Sequence, residues 1–285
     1  MSTTSLGPPA ASTPSLVRRH PVLSFVVLTY AVAWLLWAPL VIFPDRLPGQ
    51  LALVLVLLGS FVPSAVGVLF TGLLRGKSGV RTLLGRLLRA RIGLFWYLAA
   101  VALAVPALCA VWVSTLLGVP TPVVVATIPA IIVSFLFSIF PGSAVGEELG
   151  WGGFALPRLQ ARRSALAASL IVGAAWGIYH FPLFLVGSPT RPLGLFLPFA
   201  LGSVIMSIFY TWMYNGTGGS LLIVVLLHAT TNLPLTIVYA PLGERVVGVF
   251  WLLDAMLALI AAVLIARTGA ATLSRGRGKQ TETPQ

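Results

Sequence analysis

The chain has 285 residues, of which 58% are hydrophobic and only 8% charged, against about 25% charged residues in soluble domains. A water-soluble globule of this size could not cover its surface with so few polar groups, so the composition places the chain in a membrane. One cysteine, Cys109, excludes an internal disulfide framework and a thiolate metal cluster, and the basic residues behind the net charge of +12 fall between apolar runs, without the aromatic interleaving of a nucleic-acid surface.

The first 20 residues are rich in Ser, Thr and Pro and read as a disordered tail. Eight apolar stretches then follow, each near the roughly 20 residues needed to cross a bilayer core of about 30 Å: 22–43, 51–74, 94–117, 122–141, 166–186, 193–214, 220–240 and 246–266. The first is too long for a signal peptide and lacks a clear small-residue cleavage site, so it reads as a transmembrane helix. The fourth is expected to continue towards Pro157, because Arg158 is the first basic residue after it. Residues 269–285 form a second polar tail. The expected architecture is all-α, a single membrane domain of about eight transmembrane helices over residues 21–268, with both tails disordered.

With the N-terminus in the cytoplasm, fifteen of the eighteen Lys and Arg residues fall on the inner side, leaving Arg46, Arg191 and Arg245 outside. That asymmetry predicts cytoplasmic termini. The excess of Arg over Lys suggests a GC-rich bacterial genome, hence a bacterial cytoplasmic membrane.

Ionisable side chains inside a membrane span cost about 2.5–3.5 kcal/mol on insertion scales and generally carry a function or a partner. Asp45, Glu244, Glu282 and His20 fall in loops or flanks and read as solvated. Glu147, Glu148, His180, His228 and Asp254 remain, with Asn232 one helical turn beyond His228. Asp254 has no acid or histidine near it in sequence and reads as structural, and Cys109 as apolar filler. At 1.5 Å per residue, Glu147 lies about 15 Å, His228 about 12 Å and His180 about 18–21 Å from the cytoplasmic ends of their helices, so the three can meet at one level. His228 and Asn232 at i, i+4 share a helix face, as do Trp176 and His180. Glu147 and Glu148 are about 100° apart around a helix, so one is expected to face the site and the other a structural partner.

A carboxylate beside an imidazole in a dry cavity is suited to activating water as a general base. A second imidazole with an amide can donate to a developing oxyanion, each donor being worth about 2.7–4 kcal/mol. Together they describe hydrolysis of an amide or ester. Glu147, His180 and His228 could alternatively hold a divalent metal such as Zn with water in its open position, and the spacing alone does not separate the two. No H-E-x-x-H is present, Gly142-Ser143-Ala144-Val145-Gly146 does not match a G-x-S-x-G elbow, and the only two aspartates, Asp45 and Asp254, do not make an aspartyl dyad.

The segment Glu147-Glu148-Leu149-Gly150-Trp151-Gly152 resembles the E-E-x-x-x-R motif of the CAAX prenyl protease 2 family, the Ras-converting-enzyme type within the CPBP or Abi group of intramembrane proteases. Trp176-Gly177-Ile178-Tyr179-His180 is similar to that family's second motif, and His228-Ala229-Thr230-Thr231-Asn232 to its third, H-x-x-x-N. All three lie within about residues 140–235. The resemblance implies an intramembrane endopeptidase, catalogued with metalloproteases although a metal-free glutamate mechanism is also argued for the group. By the same resemblance Glu147 and His180 activate water, His228 and Asn232 stabilise the oxyanion, and Glu148 supports the site. It implies a lipid-modified or hydrophobic peptide or protein substrate, reached from the bilayer through a cavity open to the cytoplasm. The chain departs from the motif at Gly152, where the family has arginine. Two alternatives stand beside this reading. One is a non-enzymatic immunity or regulatory protein in which Gly152 marks lost catalysis. The other is a proton-coupled transporter, disfavoured because the polar set has no counterpart in the first half of the chain.

Overall fold

The computed structural model describes residues 15–119, 127–186, 191–234 and 239–274. Among them every regular element is helical: α1 Ser15–Arg19, α2 Pro21–Ile42, α3 Gly49–Gly85, α4 Leu94–Ala102, α5 Val105–Leu116, α6 Ile128–Ile139, α7 Ala144–Glu148, α8 Leu156–Gln160, α9 Ala165–Tyr179, α10 Phe181–Leu185, α11 Phe196–Gly216, α12 Leu221–Pro234 and α13 Val246–Thr268, joined in places by short tighter or wider turns. Seven of the resulting stretches are long and apolar enough to span a bilayer. The eighth expected span, 220–240, is represented by the shorter apolar helix α12, and residues 235–238 within it lie outside the described residues. The outer surface carries large apolar side chains at high exposure, among them Leu35 (75%), Ile128 (74%) and Leu259 (71%). Water would not tolerate such a belt and lipid does. The chain is an integral membrane protein.

Several spans are broken where the sequence dictates. The third divides into α4 and α5 because Pro106, at the start of α5, lacks an amide proton for the preceding turn. In α3, Gly76 takes a positive φ of 66° and kinks the helix there. The fourth span reaches Gln160 as a continuous apolar stretch but not as one helix. It stops after α6 with Phe140 extended, restarts as α7, and then passes through a wide turn, Trp151–Ala155, in which the amides of Phe154 and Ala155 both bond to the Gly150 carbonyl.

The expected tails are partly ordered. Ser15–Arg19 are helical rather than disordered, because Val17 packs into the core. Beyond α13, Leu273 is fully buried. The carbonyls of Ala270 and Ala271 accept the first two amides of α9, at 3.0 and 2.9 Å, satisfying donors that a helix start leaves without an internal partner. Residues 1–14 and 275–285, including Glu282, lie outside the described residues.

Close helix approach at small residues holds the bundle together, as expected where lipid removes the hydrophobic advantage of burying leucine. A Cβ on Gly173 of α9 would strike Ser207 Oγ and come within 2.6 Å of Val204 Cα on α11. Gly146 and Gly150, four residues apart around the two glutamates, meet the α3 backbone the same way: a Cβ on Gly146 would lie 2.7 Å from the Ser60 carbonyl, and one on Gly150 would strike that of Pro63. Ser64 adds a hydrogen bond of 2.7 Å to the Val145 carbonyl. This seating on α3 fixes where Glu147 and Glu148 stand.

Candidate active site

Glu147 and Glu148 are 1% and 3% exposed and His228 is 2% exposed, so three ionisable groups are withdrawn from solvent and lipid alike. The site contains two carboxylate–imidazole pairs. In the first, Glu147 Oε2 accepts a short hydrogen bond from Trp176 Nε1, while Glu147 Oε1 lies 3.7 Å from His180 Nε2 and has no hydrogen-bond partner among the described residues. His180 Nδ1 lies 2.9 Å from the Trp176 carbonyl. A carbonyl only accepts, so Nδ1 carries a proton, and Nε2 is the ring nitrogen that faces Glu147.

In the second pair, His228 Nδ1 is 2.8 Å from Glu148 Oε1 and His228 Nε2 is 3.2 Å from Ser143 Oγ. Asn232 Nδ2 donates to the same Ser143 oxygen at 3.1 Å and to Ser138 Oγ at 3.1 Å. Trp176 and Tyr210 wall the two pairs. The indole meets His180 edge-on at 5.7 Å and His228 at 5.4 Å, and the Tyr210 ring stacks on His228 at 5.9 Å and 15°.

Glu147, Glu148, His180, His228 and Asn232, the residues singled out from the sequence, thus come together. The expectation that only one glutamate would face the site is corrected. Both carboxylates lie in α7, still about 100° apart, and each points at an imidazole because the histidines come from different helices, His180 from the end of α9 and His228 from α12. Two contributors were not legible. Ser143 was considered only as a failed nucleophile motif, although its position four residues before Glu147 places it on the same side of a helical turn. Tyr210 lies in an apolar run of α11 that gives no signal. Asp254 is also buried, with neither carboxylate oxygen partnered among the described residues, but it packs against Gly202 and does not join the site.

Glu147 is thirteen residues from Gln160 and His180 fifteen from Ala165, about 20 and 22 Å at the helical rise. The two meet across 3.7 Å. Gly152 faces Glu148: a Cβ there would lie 2.9 Å from Oε2 and 3.3 Å from Leu221 Cδ2. The adjoining cavity holds about 20 Å³ and is lined by Glu148, Gly152, Trp176, Tyr210 and Thr211 among others, which is room for one water and not for a guanidinium.

Of the three side chains expected to hold a divalent metal, His228 has both nitrogens engaged, by Glu148 and Ser143, while Glu147 Oε1 and His180 Nε2 stay open; among the described residues no three His, Cys, Asp or Glu side chains gather as a metal-holding group.

Comparison with known proteins converges on the same segment. Residues 129–234 match the family model described as type II CAAX prenyl endopeptidase, Rce1-like. Over 97 residues the chain is 34% identical to a CAAX prenyl protease 2 of Methanococcus maripaludis, an alignment covering 32% of this chain and 36% of the relative. The matched region thus spans about a third of that curated protein. By the family model, the segment that carries every side chain of the site is similar to type II CAAX prenyl endopeptidases of the Rce1-like kind.

Proposed function

We propose that the protein is an intramembrane endopeptidase that cleaves a peptide bond by water attack, with Glu147 as general base. The observation that carries this reading is the buried Glu147 Oε1, unpartnered among the described residues and facing His180 Nε2 across 3.7 Å. With His180 neutral the two are acceptors matched by a molecule that donates twice, and water does so while leaving its own lone pairs free to attack. Trp176 holds the other carboxylate oxygen and so fixes the direction in which Oε1 points. As water adds to the scissile carbonyl, its proton passes to Glu147 and is later delivered to the departing amine.

The developing oxyanion needs donors. His228, backed by Glu148, and Asn232 both address the position that the Ser143 hydroxyl occupies. In this reading the substrate oxygen takes that hydroxyl's place between imidazole and amide. The Rce1-like match supports a CAAX-type substrate, a peptide ending near a lipid-modified cysteine, and the burial of the site among membrane helices supports an apolar peptide end more generally. The chemistry so described uses water, carboxylate and imidazole alone.

A second reading rests on one line of contacts: Ser143 Oγ, His228 and Glu148 Oε1 stand in the order of nucleophile, base and orienting acid. Cleavage of a fluorogenic prenylated peptide panel and of unmodified apolar peptides by the purified protein tests both. Activity abolished by Glu147→Gln and retained by Ser143→Ala supports the water mechanism. The reverse pattern, with covalent labelling by a fluorophosphonate, supports the serine. No cleavage of any peptide by wild type, in detergent or in vesicles, would count against both.

A further inference from the structure

Away from the active site, where α2 begins and α3, α8 and α11 end, a recess of about 1720 Å³ opens between the helices, and eight of its lining residues are arginines. They come from separate parts of the chain: the pair that ends α1, Arg75 in α3, Arg86 and Arg89 just after it, Arg158 in α8, and Arg162 and Arg163 before α9. Among the described residues no acidic side chain lines it. Three of these guanidinium groups are oriented by uncharged acceptors. Arg86 donates to Tyr214 Oη at 2.8 Å, Arg89 to the Gly218 carbonyl, and Arg158 to the Phe154 carbonyl at 2.9 Å while lying over the Phe154 ring. These contacts aim the forks without neutralising them.

A topology signal requires only that basic residues lie on one side of the membrane; it does not require them to surround one recess. Gathered charges of one sign repel, and a compact fold that holds them calls for a counter-charge. Guanidinium forks match phosphate oxygens in pairs. The same recess is also lined by apolar side chains, Val22, Leu23 and Val26 of α2 and Ile171 and Ala175 of α9. Leu23 is 61% exposed. A soluble phosphate would use the arginines of this recess and leave its apolar lining without purpose.

We infer that the recess binds an anionic glycerophospholipid, its phosphate among the arginines and an acyl chain in the groove between α2 and α9. The site is separate from the proposed peptidase chemistry and stands whether or not the chain cleaves peptides.

Native mass spectrometry of the full chain, released from neutral detergent, tests this with three probes: dioleoyl phosphatidylglycerol, dioleoyl phosphatidylcholine and inorganic phosphate. The expected result is at least a tenfold preference for phosphatidylglycerol over phosphatidylcholine, with no competition from millimolar phosphate. Arg162→Gln/Arg163→Gln and, separately, Arg75→Gln are expected to cut that preference several-fold, while Arg162→Lys/Arg163→Lys, which keeps the charge, retains most of it. Equal retention of the two lipids by wild type would overturn the proposal, and that comparison needs no variant to fold. Saturable competition by inorganic phosphate would overturn the lipid assignment in favour of a soluble anion. A preference undiminished in folded glutamine variants would place the lipid elsewhere.

Discussion

Ser143 Oγ stands 3.2 Å from His228 Nε2, on the side of the imidazole opposite Glu148, and is at the same time 3.1 Å from the Asn232 amide nitrogen. One oxygen is thus addressed by both groups proposed to stabilise an oxyanion. If that oxygen marks the place of the substrate carbonyl, Ser143→Ala removes an occupant and no donor. Turnover is expected to stay within about tenfold of wild type, whereas His228→Ala, which deletes a donor, is expected to lose about 10²–10³ in kcat. Steady-state kinetics on one cleavable peptide decide between the two.

Glu147→Gln keeps the shape of the side chain and an oxygen for Trp176 but removes the base. A loss of about 10²–10⁴ in kcat is expected, with a thermal midpoint near that of wild type. Treating wild type with a chelator is expected to leave the rate unchanged, because both His228 nitrogens are committed to other partners and Glu147 with His180 would give a metal two protein ligands where a catalytic zinc takes three. A rate that collapses with chelator and returns with zinc would refute the metal-free reading.

Gly152→Arg restores the residue that the resembling motif carries, yet the surroundings are closed to it. Its Cβ alone would come 2.9 Å from Glu148 Oε2, and Glu148 is the acid that holds His228. The substitution is expected to displace Glu148, lower activity, and destabilise the fold by about 1–3 kcal/mol through overpacking. Paired activity and melting measurements check it. A gain in activity would mean that the two carboxylate–imidazole pairs work better with an added cation beside them.

Gly173→Ala tests the helix packing independently of the chemistry. The added methyl would meet Ser207 Oγ and the Val204 backbone on α11, which lies along the length of α9. A cost of about 1–3 kcal/mol is expected, read as a lowered thermal midpoint in detergent. Gly248, with open space where a Cβ would stand, is the control: Gly248→Ala is expected to leave the midpoint unchanged or slightly raised.

Much of this was legible in the sequence because a membrane makes polar residues conspicuous. Glu147, His180 and His228 stood out among long apolar runs, and the i, i+4 spacing of His228 and Asn232 correctly put both on one side of α12, where both reach Ser143. What was not legible depends on breaks in regular winding. An uninterrupted fourth helix would separate the two glutamates by about 100°. Within α7 they keep that angle, and both still face imidazoles because α9 and α12 supply one each; the stop at Phe140 and the wide turn after Glu148 are marked in the sequence only by scattered glycines and Pro141. Tyr210 carries no signal because an aromatic residue in an apolar helix is ordinary. The convergence of the arginines was hidden for another reason: their count along the chain reports which side of the membrane they occupy, and only the packing of α2, α3, α8 and α9 reports that they surround one recess.

The wide turn at Trp151–Ala155 sets a phase relation within a single segment. Upstream of it, Glu147 and Glu148 point inward at imidazoles; downstream, Arg158 points into the basic recess. Removing one residue from the turn would rotate everything after it by about 100° relative to the glutamates. The length of this stretch is therefore more constrained than its composition. A conservative exchange at Leu156 changes only local packing, whereas a one-residue deletion would unlock the angular relation between the carboxylates and the arginine end of the bundle, so that one of the two must leave its place.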